Sequence, residues 1–277
     1  MRGFMKRICD NAALALFIGL IGLTLVYLLI PVAIAMAMSF DAREYLGRFP
    51  PPALSIKWYV AFFGDSYYLN ALKNSVIVGV ISASVATALG VCAAVFLHDR
   101  RFPGRQSLSV FFLSPLIVPT VIIGFALLIF FSYLGIFDGF VRLIGGHIII
   151  TLPYTIRTTL ASLVGIRRGL TEAALSLGAN ERQAFWSITF PLAKTGIVAG
   201  AIFALSISLD DLALSLFLVD PFSTTLPVAL LTSMRVRFNL TIAAASGFLV
   251  LVTAGLVLLL DRLVGLEKLI GTGIYRA

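Results

Sequence analysis

The sequence predicts an all-α membrane protein with six transmembrane helices, and three observations carry that prediction. Apolar residues make up 60% of the 277 and charged residues only 12%, with a mean hydropathy of +1.03, far outside the range of soluble domains. The apolar residues gather in six windows, each near or beyond the roughly 20 residues that cross a bilayer as helix. Within each window they run continuously rather than alternating, which excludes barrel strands.

The first window, Asn11 to Met38, follows Arg2, Lys6 and Arg7. Residues 1–10 read as a cytoplasmic N-terminal tail and 11–277 as one transmembrane domain that includes a cytoplasmic loop over 166–190. Ala33-Ile34-Ala35 has the look of a signal-peptidase site, but the apolar run exceeds the roughly 7 to 15 residues of a cleavable core, so the window is an uncleaved anchor. Before the second window, Ala71 to Leu97, the stretch "SIKWYVAFFGDSYY" sets Ile56, Tyr59, Val60 and Phe63 at the spacing of an interfacial helix, with Trp58 and Tyr67 as belt aromatics.

The third window, Gln106 to Leu134, holds Pro115 and Pro119, each of which removes a backbone donor and disturbs the preceding turn. Such a kink suits a pathway wall, and it equally suits an ordinary membrane helix whose neighbours satisfy the freed groups. The fourth, Ile144 to Gly165, puts Arg157 near its middle. A cation on the lipid face there costs about 2.5 kcal/mol or more, so Arg157 is expected to face protein or water. It would serve as a structural or gating partner or as a ligand, unless tilt or an interruption at Pro153 brings it nearer an interface.

The fifth window, Pro191 to Leu216, contains Gly196 and Gly200 in a G-x-x-x-G spacing, which lets two helices approach closely. Asp210 lies about 28 Å along a continuous helix from Pro191. Asp210 and Asp211 are therefore candidates for receiving a cation at the external mouth of a pathway, or for capping the span end or pairing with Arg235 or Arg237. The sixth window is Thr241 to Leu260. Between the last two, "DPFSTTLPVALLTSM" has enough apolar residues to fold back onto the bundle.

Alternate loops carry thirteen and seven Lys and Arg residues, the larger set on the side of the N-terminus, which places both termini in the cytoplasm. The net charge of +8 is then mostly a topology signal, and loops this short build no basic face for nucleic acid. Cys9 and Cys92 read as free thiols. His98 and His147 lack a second ligand at metal spacing and read as surface or cap histidines, so no metal is implied. Neither a G-x-x-x-x-G-K-[ST] phosphate cradle nor a G-x-S-x-G nucleophile turn is present. The chain catalyses no bond chemistry by these routes, and energy for any uphill work enters from elsewhere.

One polar island, "GLTEAALSLGANERQAFWSITFP" over 169–191, interrupts the apolar pattern. Thr171 can cap a short helix with Glu172 in its first turn. Ala173, Ala174, Leu175 and Leu177 continue it with an apolar stripe, and Gly178 stops it. Asn180 and Gln183 have capping-box spacing for a second short helix, after which Pro191 marks the start of the fifth span. The island is either an interfacial helix or a docking knob in which the alanines allow close approach and Glu172 supplies an acceptor.

"EAALSLGANERQAFWSITFPLAKTGI" resembles the EAA loop of ABC-importer membrane permeases: Glu172, Ala173, Ala174, Gly178, Ile188 and Pro191 stand at the motif positions, with Phe190 where leucine is usual. "ALKNSVIVGVISASVATALGVCAAVFL", "LSPLIVPTVIIGFALL", "LPYTIRTTLASL" and "LSISLDDLALSLFL" extend the similarity to the spermidine/putrescine permease type. The resemblance implies the type I ABC-importer permease fold in a bacterial inner membrane. It implies that the loop is a coupling helix for a cytosolic ATPase dimer that binds ATP and Mg, this chain holding no cofactor itself. It further implies a second, homologous permease subunit in a heterodimer, a periplasmic substrate-binding protein, and a polyamine or related small amine as cargo. Opines, aminophosphonates, amino-acid-like compounds and iron are alternative cargoes within such permeases. An ion-coupled secondary transporter is the alternative outside them, although neither paired repeats nor a midplane ion site is evident.

Overall fold

The structure is a computed structural model that describes residues 2–45, 47–99, 102–166, 168–236 and 239–264. Arg100, Arg101, Arg167, Arg237, Lys268 and Arg276, which contribute to the expected charge asymmetry, lie outside the described residues. The regular structure among the described residues is helical, apart from one isolated antiparallel bridge, Asp41 to Leu54. Among the described residues, five helices are long and apolar enough to span a membrane, and six if one sharply bent pair counts as a single span.

Contacts divide the chain into two units, Met1–Gly64 with Ser233–Phe248, and Asp65–Thr232 with Leu249–Ala277. In the first, α1 (Arg2–Met38) is helical from the segment read as a tail, and its apolar residues from Ala13 to Ala35 are all exposed. The loop after it closes on Asp41, fully buried and paired with Arg43 at 2.5 Å, while the Trp58 indole donates to the Asp41 carbonyl at 2.8 Å. In α2 (Lys57–Gly64) the expected single stripe divides. Tyr59 turns inward to a 2.8 Å hydrogen bond with Ser39 Oγ and Phe62 is buried beside Phe248, leaving Ile56, Val60 and Phe63 exposed as the outward apolar face.

The second unit is organised by α3 (Ser66–Asp99), α6 (Gly139–Val164) and α9 (Phe190–Asp210), which pack against one another along a seam of small and hydroxyl residues. Ala86 and Ala94 of α3 are fully buried. Thr155 of α6 donates to the Ala86 carbonyl at 2.9 Å and sits where a Cβ on Gly90 would have to go. On the other side of α6, a Cβ on Gly196 would lie 2.6 Å from the Thr158 carbonyl and one on Gly200 3.0 Å from Thr155 Cα. Packing that close is what holds membrane helices together when lipid is as apolar as the side chains.

Two expected spans are broken. The third window divides into α4 (Arg105–Leu113), a 3₁₀ turn over Ser114–Leu116, and α5 (Thr120–Tyr133), with a 100° bend between the two parts. Pro119 sits at the bend with φ −55° and ψ 131°, an extended conformation that ends one helix and starts the next. The fifth window does not run to Leu216: α9 stops at Asp210, Asp211 is extended at ψ 120°, and a short α10 (Ser215–Leu218) follows. Pro153, by contrast, is buried inside an uninterrupted α6. Beyond α10 lie α11 (Leu226–Val236) and α12 (Leu240–Val264).

Candidate functional site

The polar island folds as a helix, a tight turn and a helix, with two departures from expectation. α7 spans Arg168–Ser176, so Thr171 lies inside it rather than capping it, and Glu172 falls beyond the first turn. Arg168, Gly169 and Leu170 already form a helical turn ahead of Thr171, so the threonine has no helix start to cap. Gly178 ends the helix at φ +92°. The Ala179 N–H donates to the Ala174 carbonyl at 3.0 Å and the Gly178 N–H to Leu175 at 3.0 Å, the paired bonds of a Schellman stop. α8 (Glu181–Ala184) then begins on a complete capping box, Asn180 Oδ1 accepting from the Gln183 N–H at 2.8 Å and Gln183 Oε1 from the Asn180 N–H at 2.9 Å.

Pro191 does not start the fifth span. A π-helical turn over Phe185–Thr189 joins α8 to α9, making one helix from Glu181 to Asp210. The wider turn bonds the Phe190 N–H back to the Phe185 carbonyl, and this register shift absorbs the donor that Pro191 lacks. The knob is thereby attached to the packed core by continuous backbone. Leu177 (88% exposed) and Trp186 (55%) project from it. Ala173 and Gly178 are exposed and Ala174 is half-buried. Glu172 lines a cavity of about 570 Å³ that Leu175, Arg182 and Phe185 share with His98 and Leu163, at the ends of α3 and α6.

At the other end of α9 the two aspartates part. Asp210 is exposed, whereas the Asp211 side chain is only 7% exposed. Asp211 Oδ2 accepts from the Ser215 N–H at 2.9 Å and lies 3.1 Å from Ser215 Oγ. His147 is neither a surface nor a cap histidine. It is wholly buried, with Nδ1 2.5 Å from Ser208 Oγ, Nε2 3.0 Å from Ser215 Oγ, and Asp211 Oδ2 at 4.0 Å. Its partners come from α9 and α10, 61 and 68 residues away in sequence, so no local spacing points to it.

Beside this end, the turn after α10 is stitched to α3 and α6. Asp220 accepts from the N–H groups of Gly139, Phe222 and Ser223, each at 2.8 Å. Asn74 donates to the Phe222 and Thr224 carbonyls, and Ser75 Oγ accepts from the Leu226 N–H. Burial pushes the Asp220 carboxyl up, but these amides and the Ser223 hydroxyl outweigh it and hold the group below the ordinary carboxylate range. The Asp-Pro-Phe-Ser sequence is a turn signal that marks this element. Arg157 is exposed on α6, with no hydrogen bond or ion pair among the described residues. Neither Arg157 nor Pro119 shares a hydrogen bond or ion pair with the aspartates among the described residues.

Several apolar helices of spanning length define an integral membrane protein of the multi-span helical class. The chain belongs to the family of binding-protein-dependent transport system inner membrane components, which matches residues 86–266. It is 30% identical to the spermidine/putrescine transport system permease protein PotC of Shigella flexneri, over 89% of this chain and 92% of that protein. It is also 30% identical to the putrescine transport system permease protein PotI of Escherichia coli K12, over 79% of each. Among solved structures, a bacterial ABC transporter involved in the import of the acidic polysaccharide alginate matches with a TM-score of 0.69 at 18% identity, over 91% of this chain and 96% of that one. A bacterial alginate ABC transporter in complex with an alginate pentasaccharide-bound periplasmic protein matches with a TM-score of 0.70 at 19% identity, over 91% of this chain and 95% of that one. The chain is a permease component of an ABC importer, resident in the inner membrane, with the fold of such permeases.

Proposed function

We propose that this permease carries polyamines or a closely related small amine inward, driven by a cytosolic ATPase dimer that docks on residues 169–186. What best supports the coupling role is the build of the knob: a Schellman stop at Gly178, a capping box at Asn180, and an unbroken helix from Glu181 into the core. A displacement applied to Ala173, Ala174 or Glu172 would reach α9, α6 and α3 as a rigid movement rather than being lost in a flexible loop. ATP and Mg belong to the partner subunits, a second permease completes a heterodimer, and a periplasmic binding protein delivers the cargo. Both termini lie in the cytoplasm. The amine cargo is supported by the names of the permeases to which the chain is similar and by the acidic pair at the end of α9. Asp210 and Asp211 would receive the cation at the external mouth, with Pro119 at the α4–α5 bend and Arg157 on α6 as further candidates along the pathway.

The test is to purify the chain gently from its native membrane, identify what accompanies it, and measure amine uptake after reconstitution. Co-purification of a Walker-motif ATPase and a second permease, with ATP-dependent uptake abolished by Glu172→Ala, is the expected result. Recovery of the chain alone with uptake independent of ATP would refute it and make an ion-coupled carrier the better reading.

A further inference from the structure

The buried cluster around His147 spans the interruption in the fifth segment. Ser208 lies on α9, before the break; Ser215 opens α10, after it; and the imidazole of α6 contacts both hydroxyls, at 2.5 and 3.0 Å. Between them the chain passes through the extended Asp211. α10 itself is seated in a notch left by two glycines. A Cβ on Gly124 of α5 would lie 3.0 Å from Leu214 Cα, and one on Gly146 of α6 would lie 2.5 Å from a Leu218 methyl. The notch holds the elbow by shape, and His147 holds it by hydrogen bonds.

The hydrogen bonds have a direction. The Ser215 hydroxyl donates to Asp211 Oδ2 at 3.1 Å. Its oxygen is then left to accept from His147 Nε2–H, and Nδ1 is left to accept from the Ser208 hydroxyl. Every side-chain polar hydrogen in this buried site is thereby used once, in a chain running Ser208 to His147 to Ser215 to Asp211. In a low-dielectric interior such a chain strengthens each link and makes each gap costly.

We propose that His147 is a positioning residue: through Ser215 it fixes the Asp211 carboxylate and locks the α9–α10 elbow in one geometry, so that both move with α6 as a single piece. A simple packing role would need only the volume of the ring. A positioning role needs a donor on one side and an acceptor on the other, which glutamine can supply and leucine cannot. The inference rests on reading the chain as a moving permease subunit and does not depend on which cargo it carries.

The experiment uses the complete importer in proteoliposomes, with spermidine-loaded binding protein outside and ATP inside. Uptake per assembled complex and the half-saturating concentration of binding protein are measured for His147→Leu, His147→Gln, Ser215→Ala and the Leu/Ala double variant. Losing a buried link of this chain and leaving its partner unsatisfied predicts that His147→Leu and Ser215→Ala each lower turnover about tenfold, with half-saturation unchanged. His147→Gln recovers turnover to within about threefold of the parent, and the double variant is no worse than either single one, because both cut the same chain. Turnover unchanged in His147→Leu, no rescue by glutamine, or single effects that multiply would overturn the proposal, as would a loss confined to the amount of assembled complex. If the parent complex moves no amine, the cargo assignment fails instead, and the same four variants are compared by binding-protein-stimulated ATP hydrolysis, where the same pattern is required.

Discussion

Alanine at Gly196 adds one methyl group at the tightest point between α6 and α9. The new Cβ would lie 2.5 Å from Ser162 Oγ and 2.6 Å from both Ser162 Cβ and the Thr158 carbonyl oxygen, where ordinary contact begins at 3.4 Å. The serine hydroxyl can rotate away, but the carbonyl is part of the α6 backbone and already belongs to a helix. Relief therefore requires the two helices to separate, which loosens the Ala193–Leu163 packing nearby. Overpacking of a close-fitting site costs about 1–3 kcal/mol, and a backbone obstruction places this site at about 2–3 kcal/mol, or about 30- to 160-fold in the folded-to-unfolded ratio. The assay is reversible unfolding of the purified chain in mixed micelles of a mild detergent and SDS, with Gly255→Ala as control. Gly255 has nothing within 4 Å of the added carbon, so its replacement should be neutral or slightly stabilising. Equal stability of the two variants would refute the close-approach account of the core.

Two further outcomes follow from local geometry. Asn180→Ala removes the acceptor for the Gln183 N–H and should destabilise the start of α8 by about 1 kcal/mol, seen as faster amide hydrogen exchange at Gln183 with no change in the core of α9. Asp220 is held below the ordinary carboxylate range, so its contribution is present above the unfolded value and lost as pH falls through the lower folded one, in a window below about pH 4. Exchange protection of the Gly139, Phe222 and Ser223 amides should decline together across that window and stay constant from about pH 5 to 7, and Asp220→Asn should abolish the pH dependence.

What the sequence determined by itself was whatever depends on composition or on neighbours within one or two helical turns. Apolar run length gives the spans, because every backbone polar group in lipid must be bonded within its own segment. Gly178 and Asn180 could be read in advance because a helix stop and a capping box close over three to five residues. The glycines of the fifth span announced a close approach, though only the fold shows that it is made with Thr158 and Ser162 of α6. Tertiary structure decided what hydropathy cannot register. Pro119 broke its window with a 100° bend where a kinked single helix was equally consistent with the residues. His147, unremarkable in isolation, became the hub of the fifth segment because folding brought to it two serines from 61 and 68 residues away. Apolarity is written along the chain; which polar groups are buried, and the partners that make their burial tolerable, are decided only when distant helices meet.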